Sequence, residues 1–393
     1  MKIFHVIVGL GVGGAELMLE RLLLNEDQSV RRHRVVSLRG LGDFSAQMQA
    51  SRLRAAGITV DTLDLDSPWH IPRALAHLIQ LIREERPDVV QTWMYHSDLI
   101  GGLAARLAGC SNIVWNLRTN ALPSSAFPRR TQLLQRFCAL MAHLIPRKII
   151  AASRAGLESH VAIGYPRHRI VAIGNGFIMP NSEDLSASRL RVRRDWGLSP
   201  EDCAIGMVGR FDRQKGQENF IRAAGLVARQ YPQARFFIIG RQCDSANSQL
   251  MQWVEEAGLS KSIHLLGERR NVSDYLSALD VFCMPSLIEG FPNALGEAMA
   301  AGRACIATST GGSTELLAEY GLKVPPGNSA ALAVAMGRLV ELSAAEREIM
   351  GQEARQHIIA THGIDRISRQ YFDLYDSLLT YCPPSTHITD GNY

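Results

Sequence analysis

The chain has 393 residues, 46% of them hydrophobic and 20% charged, a composition that excludes a disordered or fibrous protein and fits a globular one. That length favours two or three domains over one core. The net charge of +4 is unevenly held: residues 1–175 carry 21 Lys and Arg against 13 Asp and Glu, and the remainder 21 against 25. The basic first half suits an anionic surface or acceptor, unless its arginines only solvate helix faces.

Short β-branched runs alternate with longer helical patterns, the rhythm of stacked βαβ units on parallel sheets. In the first half strands are expected over 2–8, 34–38, 59–63, 88–93, 112–117 and 148–151, with helices starting near Ala15, Phe44, Ile71, Asp98, Pro128 and Arg154. The start runs directly into a glycine turn, so no secretory signal is expected. The longest apolar run, 137–150, is broken by His143, Pro146, Arg147 and Lys148 and is not a membrane span. Residues 174–184, rich in Gly, Asn, Pro and Ser, read as a loop and hinge. Beyond it strands are expected over 203–208, 235–239, 263–266, 281–284, 304–307 and 322–324, then helices only from Leu332 to Leu379. This divides the chain into a first α/β domain (1–174), a hinge and linker (175–202) and a second α/β domain (203–362), followed by a helix (363–381) packing back on the first domain and a flexible tail (382–393). Seven scattered cysteines without a CxxC pair argue for reduced thiols in the cytoplasm and against a zinc site.

Two loops have the make-up of phosphate cradles. Gly9, Gly11, Gly13 and Gly14 follow the first strand and open a helix, where backbone amides can receive a diphosphate. The literal G-x-G-x-x-G there would fit a dinucleotide, but the second strand ends in Ser37-Leu38-Arg39 without the acid that holds an adenosine ribose. NAD is disfavoured; an NADP-linked oxidoreductase using Arg39 stays open. The second loop, Gly209-Arg210-Phe211-Asp212-Arg213-Gln214-Lys215-Gly216, offers Arg210 as a fork and Lys215 as a point charge for phosphate oxygens, unless it is only a solvated turn. Asp64 and Asp66 form a D-x-D, read as a solvent-exposed pair and not as a metal site.

Residues 286–302 are the most informative stretch. Glu289 falls in a loop and Glu297 on the first turns of a helix that Pro292 starts and Asn293 is expected to cap. Gly290 allows close approach of backbone to a ligand, and the helix entrance presents free amides. Two fixed carboxylates beside exposed amides suit a ligand that is rich in hydroxyls and also anionic, such as a nucleotide sugar.

Together these motifs resemble the retaining glycosyltransferases of the GT-B fold, sequence family four. The resemblance rests on the loop at 9–14, Asn175-Gly176, Gly209–Gly216, Glu289 to Glu297 with Gly290-Phe291-Pro292-Asn293 between them, and Gly311-Gly312-Ser313-Thr314-Glu315. It implies two Rossmann-like domains facing across a cleft, and no cofactor or metal. Arg210 and Lys215 are then expected to neutralise the donor diphosphate, helped by Gly13 and Gly14. Glu297 would hold the ribose and Glu289 the sugar ring. Gly290, Phe291, Pro292, Asn293 and Ala294 would line the sugar, with Arg269 and Arg270 near the base. On the acceptor side His96 follows the fourth strand. Arg118 stands where many relatives carry a histidine; it cannot act as a base, so it is expected to clamp a phosphate or acceptor oxygen.

The implied activity is transfer of a sugar from a nucleotide sugar to a lipid-linked or saccharide hydroxyl, with no nucleic-acid partner. A sugar-nucleotide epimerase of the same shape and a non-catalytic sugar-binding protein are the other readings. Residues 128–141 read as a basic amphipathic helix, suited either to an anionic membrane surface or to packing on the sheet with a solvated face.

Overall fold

Seven strands form the first sheet: β1 (Lys2–Ile7), β2 (Arg32–Ser37), β3 (Thr59–Thr62), β4 (Val89–Trp93), β5 (Ile113–Leu117), β6 (Lys148–Ala151) and β7 (Ile170–Ala172), in the order β3-β2-β1-β4-β5-β6-β7. Six more form the second: β8 (Cys203–Val208), β9 (Ala234–Ile239), β10 (Ile263–Gly267), β11 (Val281–Met284), β12 (Ala304–Thr308) and β13 (Leu322–Val324), in the order β10-β9-β8-β11-β12-β13. Every pairing is parallel. This computed structural model describes residues 1–11, 13–120 and 129–380. The flexible tail expected over 382–393, and Pro128, lie outside them.

The helices are α1 (Gly14–Leu24), α2 (Phe44–Ala55), α3 (Ile71–Glu85), α4 (Tyr95–Leu107), α5 (Arg129–Met141), α6 (Arg154–Ala162), α7 (Ser182–Asp195), α8 (Gln217–Ala228), α9 (Ser248–Glu256), α10 (Val272–Ala278), α11 (Asn293–Ala300), α12 (Ser313–Leu317), α13 (Ser329–Glu341), α14 (Ala344–His362) and α15 (Ile364–Thr380). None of them is long and apolar enough to cross a membrane.

Alternation along the strands divides each core in two. Ile3, Ile7, Val89 and Trp93 face α1, α2 and α15, whereas Phe4, Val6, Val90 and Trp115 face α3, α4 and α5. In the second sheet Ile205, Met207, Phe236 and Ile238 face α8, α9 and α13; Ala204, Phe237, Phe282 and Cys305 face α11, α12 and α14. Burial on both faces is what these near-continuous apolar strands require.

The chain crosses between the sheets twice, side by side. Phe177 N donates to His362 O at 2.8 Å, and Ile364 N donates to Phe177 O at 3.0 Å. A Cβ on Gly176 would lie 2.6 Å from Ile364 Cδ1 and 3.0 Å from its Cα, so only glycine lets the crossings touch. After the second crossing, α15 inserts Ile364, Ile367, Tyr371, Tyr375 and Leu378 into the core of the first sheet. Each fully buried side chain of this kind stabilises by about 1.5–3 kcal/mol.

Three sequence expectations change. Helix α7 occupies 182–195, where a loop was expected to run to Asp184: Asn181 accepts from Glu183 N, and Arg189 and Arg193 clamp Asp280 beside β11. Strand β7 was missed, since Ile170–Ala172 is only three residues long. Helix α4 begins at Tyr95, not near Asp98. The Asp98 carboxylate is buried and accepts from Thr92 Oγ1 at 2.5 Å, while Met94 makes the turn with φ of 74°.

Candidate active site

Strand order reverses at β1, which lies between β2 and β4, and at β8, which lies between β9 and β11. Open parallel sheets bind ligands outside the strand C-termini at such reversals. The loops that leave β1, β4, β8 and β11 are the ones that carry Gly13–Gly14, His96, Arg210–Lys215 and Glu289–Asn293.

In the second lobe Lys215 Nζ lies 2.7 Å from Glu289 Oε1, and Ser286 Oγ donates to the same oxygen at 2.7 Å. Glu289 is buried and Lys215 is partly open to solvent. Gly216 makes this approach available: it adopts φ of 72°, and a Cβ there would lie 2.2 Å from Pro285 O. A second ion pair stands nearer the surface, Arg210 to Asp212 at 2.6 Å. Asp212 also caps the short turn Arg213–Lys215 through Gln214 N. Its carboxyl is held below the usual value; burial opposes this, and the Gln214 amide, Arg210 and Lys215 favour it. Both candidate phosphate-binding cations therefore carry an internal carboxylate partner.

Glycines let the Glu289 loop meet the first lobe. A Cβ on Gly290 would lie 2.8 Å from Arg118 O, and one on Gly311 only 1.8 Å from Glu289 O. Asn120 Nδ2 donates to Glu289 O at 2.8 Å, and Ser153 Oγ reaches Gly290 O at 3.4 Å.

Helices α1 and α11 face each other across the lobes. A Cβ on Gly14 would lie 2.6 Å from Asn293 Nδ2. Seven residues along α1, Arg21 meets Glu297 Oε1 at 2.5 Å and donates to Gly176 O at 3.1 Å, its guanidinium over the Phe177 ring. Asn293 does not cap α11 as expected. Pro292 occupies the cap position without a side-chain bond, and Asn293 Oδ1 instead accepts from Asn175 Nδ2 at 2.6 Å. The amides at the head of α11 are thus left without a side-chain cap. At the head of α1, Glu16 folds its carboxyl back, so that a Cβ on Gly13 would lie 2.2 Å from Oε2. Burial raises the Glu16 pKa, against the backbone N–H groups of Glu16 and Ala15.

Comparison with known proteins bears on this arrangement. Residues 12–178 match the family described as Glycosyltransferase Family 4, and residues 202–342 match Glycosyl transferases group 1. The chain belongs to this glycosyltransferase family. It is 26% identical over 253 residues to an Escherichia coli UDP-Gal:alpha-D-GlcNAc-diphosphoundecaprenol alpha-1,3-galactosyltransferase, covering 62% of this chain and 64% of that one. To the Salmonella typhi Vi polysaccharide biosynthesis protein VipC/TviE it is 27% identical, over 69% of this chain and 49% of the relative. The chain thus spans between about half and two thirds of the length of these curated relatives. Among solved structures, Anabaena HepE in complex with UDP-glucose superposes with a TM-score of 0.80 over 96% of this chain and all of that one, at 22% identity. That likeness establishes the GT-B fold.

Within the site, Arg118 differs from the sequence reading in its surroundings. Arg118 is buried beneath the cleft and not presented to it. Its guanidinium donates to Asn116 Oδ1, Asn175 Oδ1, Ile173 O and the Tyr371 hydroxyl, which uses four of its five N–H donors. The expected clamp on a phosphate or acceptor oxygen is therefore replaced by a strut joining β5, the hinge and α15. Burial lowers its pKa. Arg270 stacks on Phe44 of α2, 4.8 Å from the ring centre, and Arg269 is exposed. His96 stands exposed on the first turn of α4; desolvation, then Arg39, lowers its pKa. Arg21 and Glu16 were not singled out from the sequence. Glu16 was visible as an acid inside a glycine-rich loop, but nothing local in the sequence pointed to Arg21.

Proposed function

We propose that this chain is a retaining glycosyltransferase. It moves a hexosyl group from a UDP-linked sugar to a hydroxyl of a lipid-linked or free saccharide, at the cytoplasmic face of a membrane, in the assembly of cell-surface polysaccharide or glycolipid. The observation that carries this reading is the Lys215–Glu289–Ser286 cluster at the β8 reversal, beside the uncapped head of α11 and across from Gly13 and Gly14. Family membership supports the reaction class. The Escherichia coli galactosyltransferase relative, with UDP-Gal as donor and a diphosphoundecaprenol acceptor, supports the substrate classes.

In this reading Arg210, Lys215 and the amides of Gly290, Phe291, Asn293 and Ala294 receive the leaving diphosphate and the sugar; Pro292 has no N–H to give. Glu297 accepts from the ribose hydroxyls, Glu289 from the sugar, and Arg269 and Arg270 flank the base. The bond from the anomeric carbon to the diphosphate oxygen breaks, and the acceptor oxygen bonds that carbon from the same face. The acceptor proton passes to the departing phosphate oxygen, so no enzyme nucleophile is needed. His96 lies on the acceptor side. Each charge-assisted contact made to the leaving group contributes about 1.5–3 kcal/mol, and two of them lower the barrier enough for a rate gain on the order of a hundredfold or more.

A panel of nucleotide sugars tests this by thermal stabilisation, since a ligand that binds only the folded chain raises its apparent stability. UDP sugars are expected to stabilise, with EDTA present or absent, and K215A to lose turnover while remaining folded. Stabilisation by no nucleotide, or full turnover in K215A, would sink the reading.

A further inference from the structure

Helix α5 is apolar on two faces. Its inner face carries Gln135, Cys138 and Ala139, continued by Ala142, with Leu134 and Met141 packed against the same core. Its outer face exposes Leu133 (65%), Phe137 (52%) and Leu140 (61%), continued past the helix end by Leu144 (65%). At about 100° per residue the helical three fall within an arc of roughly 60°, a stripe and not a scatter. Arg129, Arg130 and Arg136 flank the stripe and are all exposed. A helix packed on the sheet with a solvated face would carry polar residues along that outer stripe. The adjoining α4 leaves Leu103 and Leu107 exposed one turn apart, and Arg106 of α4 donates to Leu144 O and Ile145 O, fixing the two helix ends together.

The chain that builds this face carries one sign of charge. Residues 99–157 contain eight Lys and Arg, of which Arg118 is buried, and no Asp or Glu. Self-association through the same patch on two copies would bring basic faces together, which disfavours a second copy as the occupant. A straight apolar stripe bordered by guanidinium groups, with few directional polar groups, matches a bilayer interface carrying anionic headgroups.

We propose that α5 is a membrane-docking helix, with Leu133, Phe137, Leu140 and Leu144 entering the interface of an anionic lipid bilayer and Arg129, Arg130 and Arg136 meeting its headgroups. The docking helix is also a wall of the acceptor side. Gln135 Nε2 donates to the Tyr95 hydroxyl at 3.1 Å, and Cys138 Sγ reaches Tyr95 O at 3.8 Å, next to His96. Docking therefore sets the acceptor side of the cleft close to the lipid surface. This deepens the lipid-linked acceptor reading and rests on it for its purpose, but its test needs no turnover.

The experiment is sedimentation of the full chain with phosphatidylcholine vesicles, pure or containing about one third phosphatidylglycerol, at low salt and at about 1 M salt, where the screening length falls to roughly 3 Å. Wild type is expected to sediment with the anionic vesicles at low salt and to be released at high salt. Each of R129Q, R130Q and R136Q should weaken binding about fivefold, the effect of one basic residue near an anionic surface. F137E/L140E should abolish binding while keeping its thermal stabilisation by UDP, which shows that the fold and donor site are intact. Wild type failing to bind anionic vesicles would overturn the proposal, as would undiminished binding by F137E/L140E. A dimer dispersed by F137E/L140E in light scattering would overturn it in favour of self-association. Failure of every nucleotide to stabilise the chain would instead refute the transferase reading and leave the vesicle result standing.

Discussion

Arg21 offers the sharpest test of how the two lobes share the donor site. It sits on α1 of the first lobe, yet its partners are Glu297 of α11 at 2.5 Å and Gly176 O at the hinge at 3.1 Å. Both side chains of the pair are mostly buried, 16% and 26% exposed, so solvent screens the pair only in part. A charge-assisted hydrogen bond contributes about 1.5–3 kcal/mol, and the guanidinium over Phe177 about 0.5–1 kcal/mol more. The pair with Glu297 forms only while the lobes are together. R21A should therefore weaken donor binding by roughly 2–3 kcal/mol, some 30- to 150-fold. In the proposed reading Glu297 also accepts from the ribose, so E297A should lose that contact and the interlobe pair together. The assay is calorimetric UDP binding to wild type, R21A, E297A and R21A/E297A. A coupling energy of about 1.5 kcal/mol or more is expected, with the double variant scarcely weaker than E297A. Additivity within about 0.5 kcal/mol would refute the reasoning. Tighter binding by R21A would refute it from the other side, showing that Arg21 competes with the ribose for Glu297.

Four further outcomes follow from the geometry. G296A places a Cβ 2.0 Å from Phe177 Cζ and should lower stability by about 1–3 kcal/mol or more in urea unfolding, as overpacking does; an unchanged midpoint would show that α11 does not pack on the hinge as described. Y371F removes the hydroxyl that accepts from Arg118 and Asn116 and should cost about 1 kcal/mol, while R118M strands several buried polar atoms and should cost about 3 kcal/mol or more. If R118M instead left stability intact and raised the acceptor KM, Arg118 would be a substrate clamp after all. E16Q removes the carboxylate from the head of α1 and should tighten UDP binding about two- to fivefold, the effect of one charge near a helix N-terminus; weaker binding would count against it. Burial lowers the pKa of His160 and of His362 to about 4 from 6.5, so between those values the unfolded chain binds protons that the folded chain does not. Stability should then fall as pH drops from about 6.5 toward 4, by about 1.4 kcal/mol per pH unit for each histidine; H160N should flatten this slope in thermal melts, and an unchanged slope would refute the assignment.

Local chemistry made most of the fold readable. Twelve of the thirteen strands lie where β-branched runs sit between turn residues, and only the three-residue β7 is too short to give a period. The glycine-rich loops were legible because their glycines answer to contacts within a few residues or at the end of a neighbouring strand, as at Gly216 beneath Pro285. The α7 signal was present as well, Asn181 before two acids, but the surrounding Gly, Pro and Ser masked it.

What the sequence hid is set by distance along the chain. Arg118 lies 253 residues from Tyr371, and Arg21 lies 276 from Glu297. No window on either side of such a pair shows the partner. The same arginine at position 118 reads as a substrate clamp from its place after β5 and as a strut once α15 is folded beneath it. The exposed face of α5 was hidden for a different reason. An amphipathic period states that two faces differ, but not which one meets the sheet; here Leu134, Cys138, Ala139, Met141 and Ala142 meet the core, and Leu133, Phe137 and Leu140 are left outside. The motifs therefore marked the parts of the site that lie at strand ends. The couplings between lobes, and between the cleft and whatever lies beyond α5, belong to the tertiary arrangement, which is why variants at Arg21 and Phe137 separate the mechanism from the family resemblance more cleanly than variants at Lys215 do.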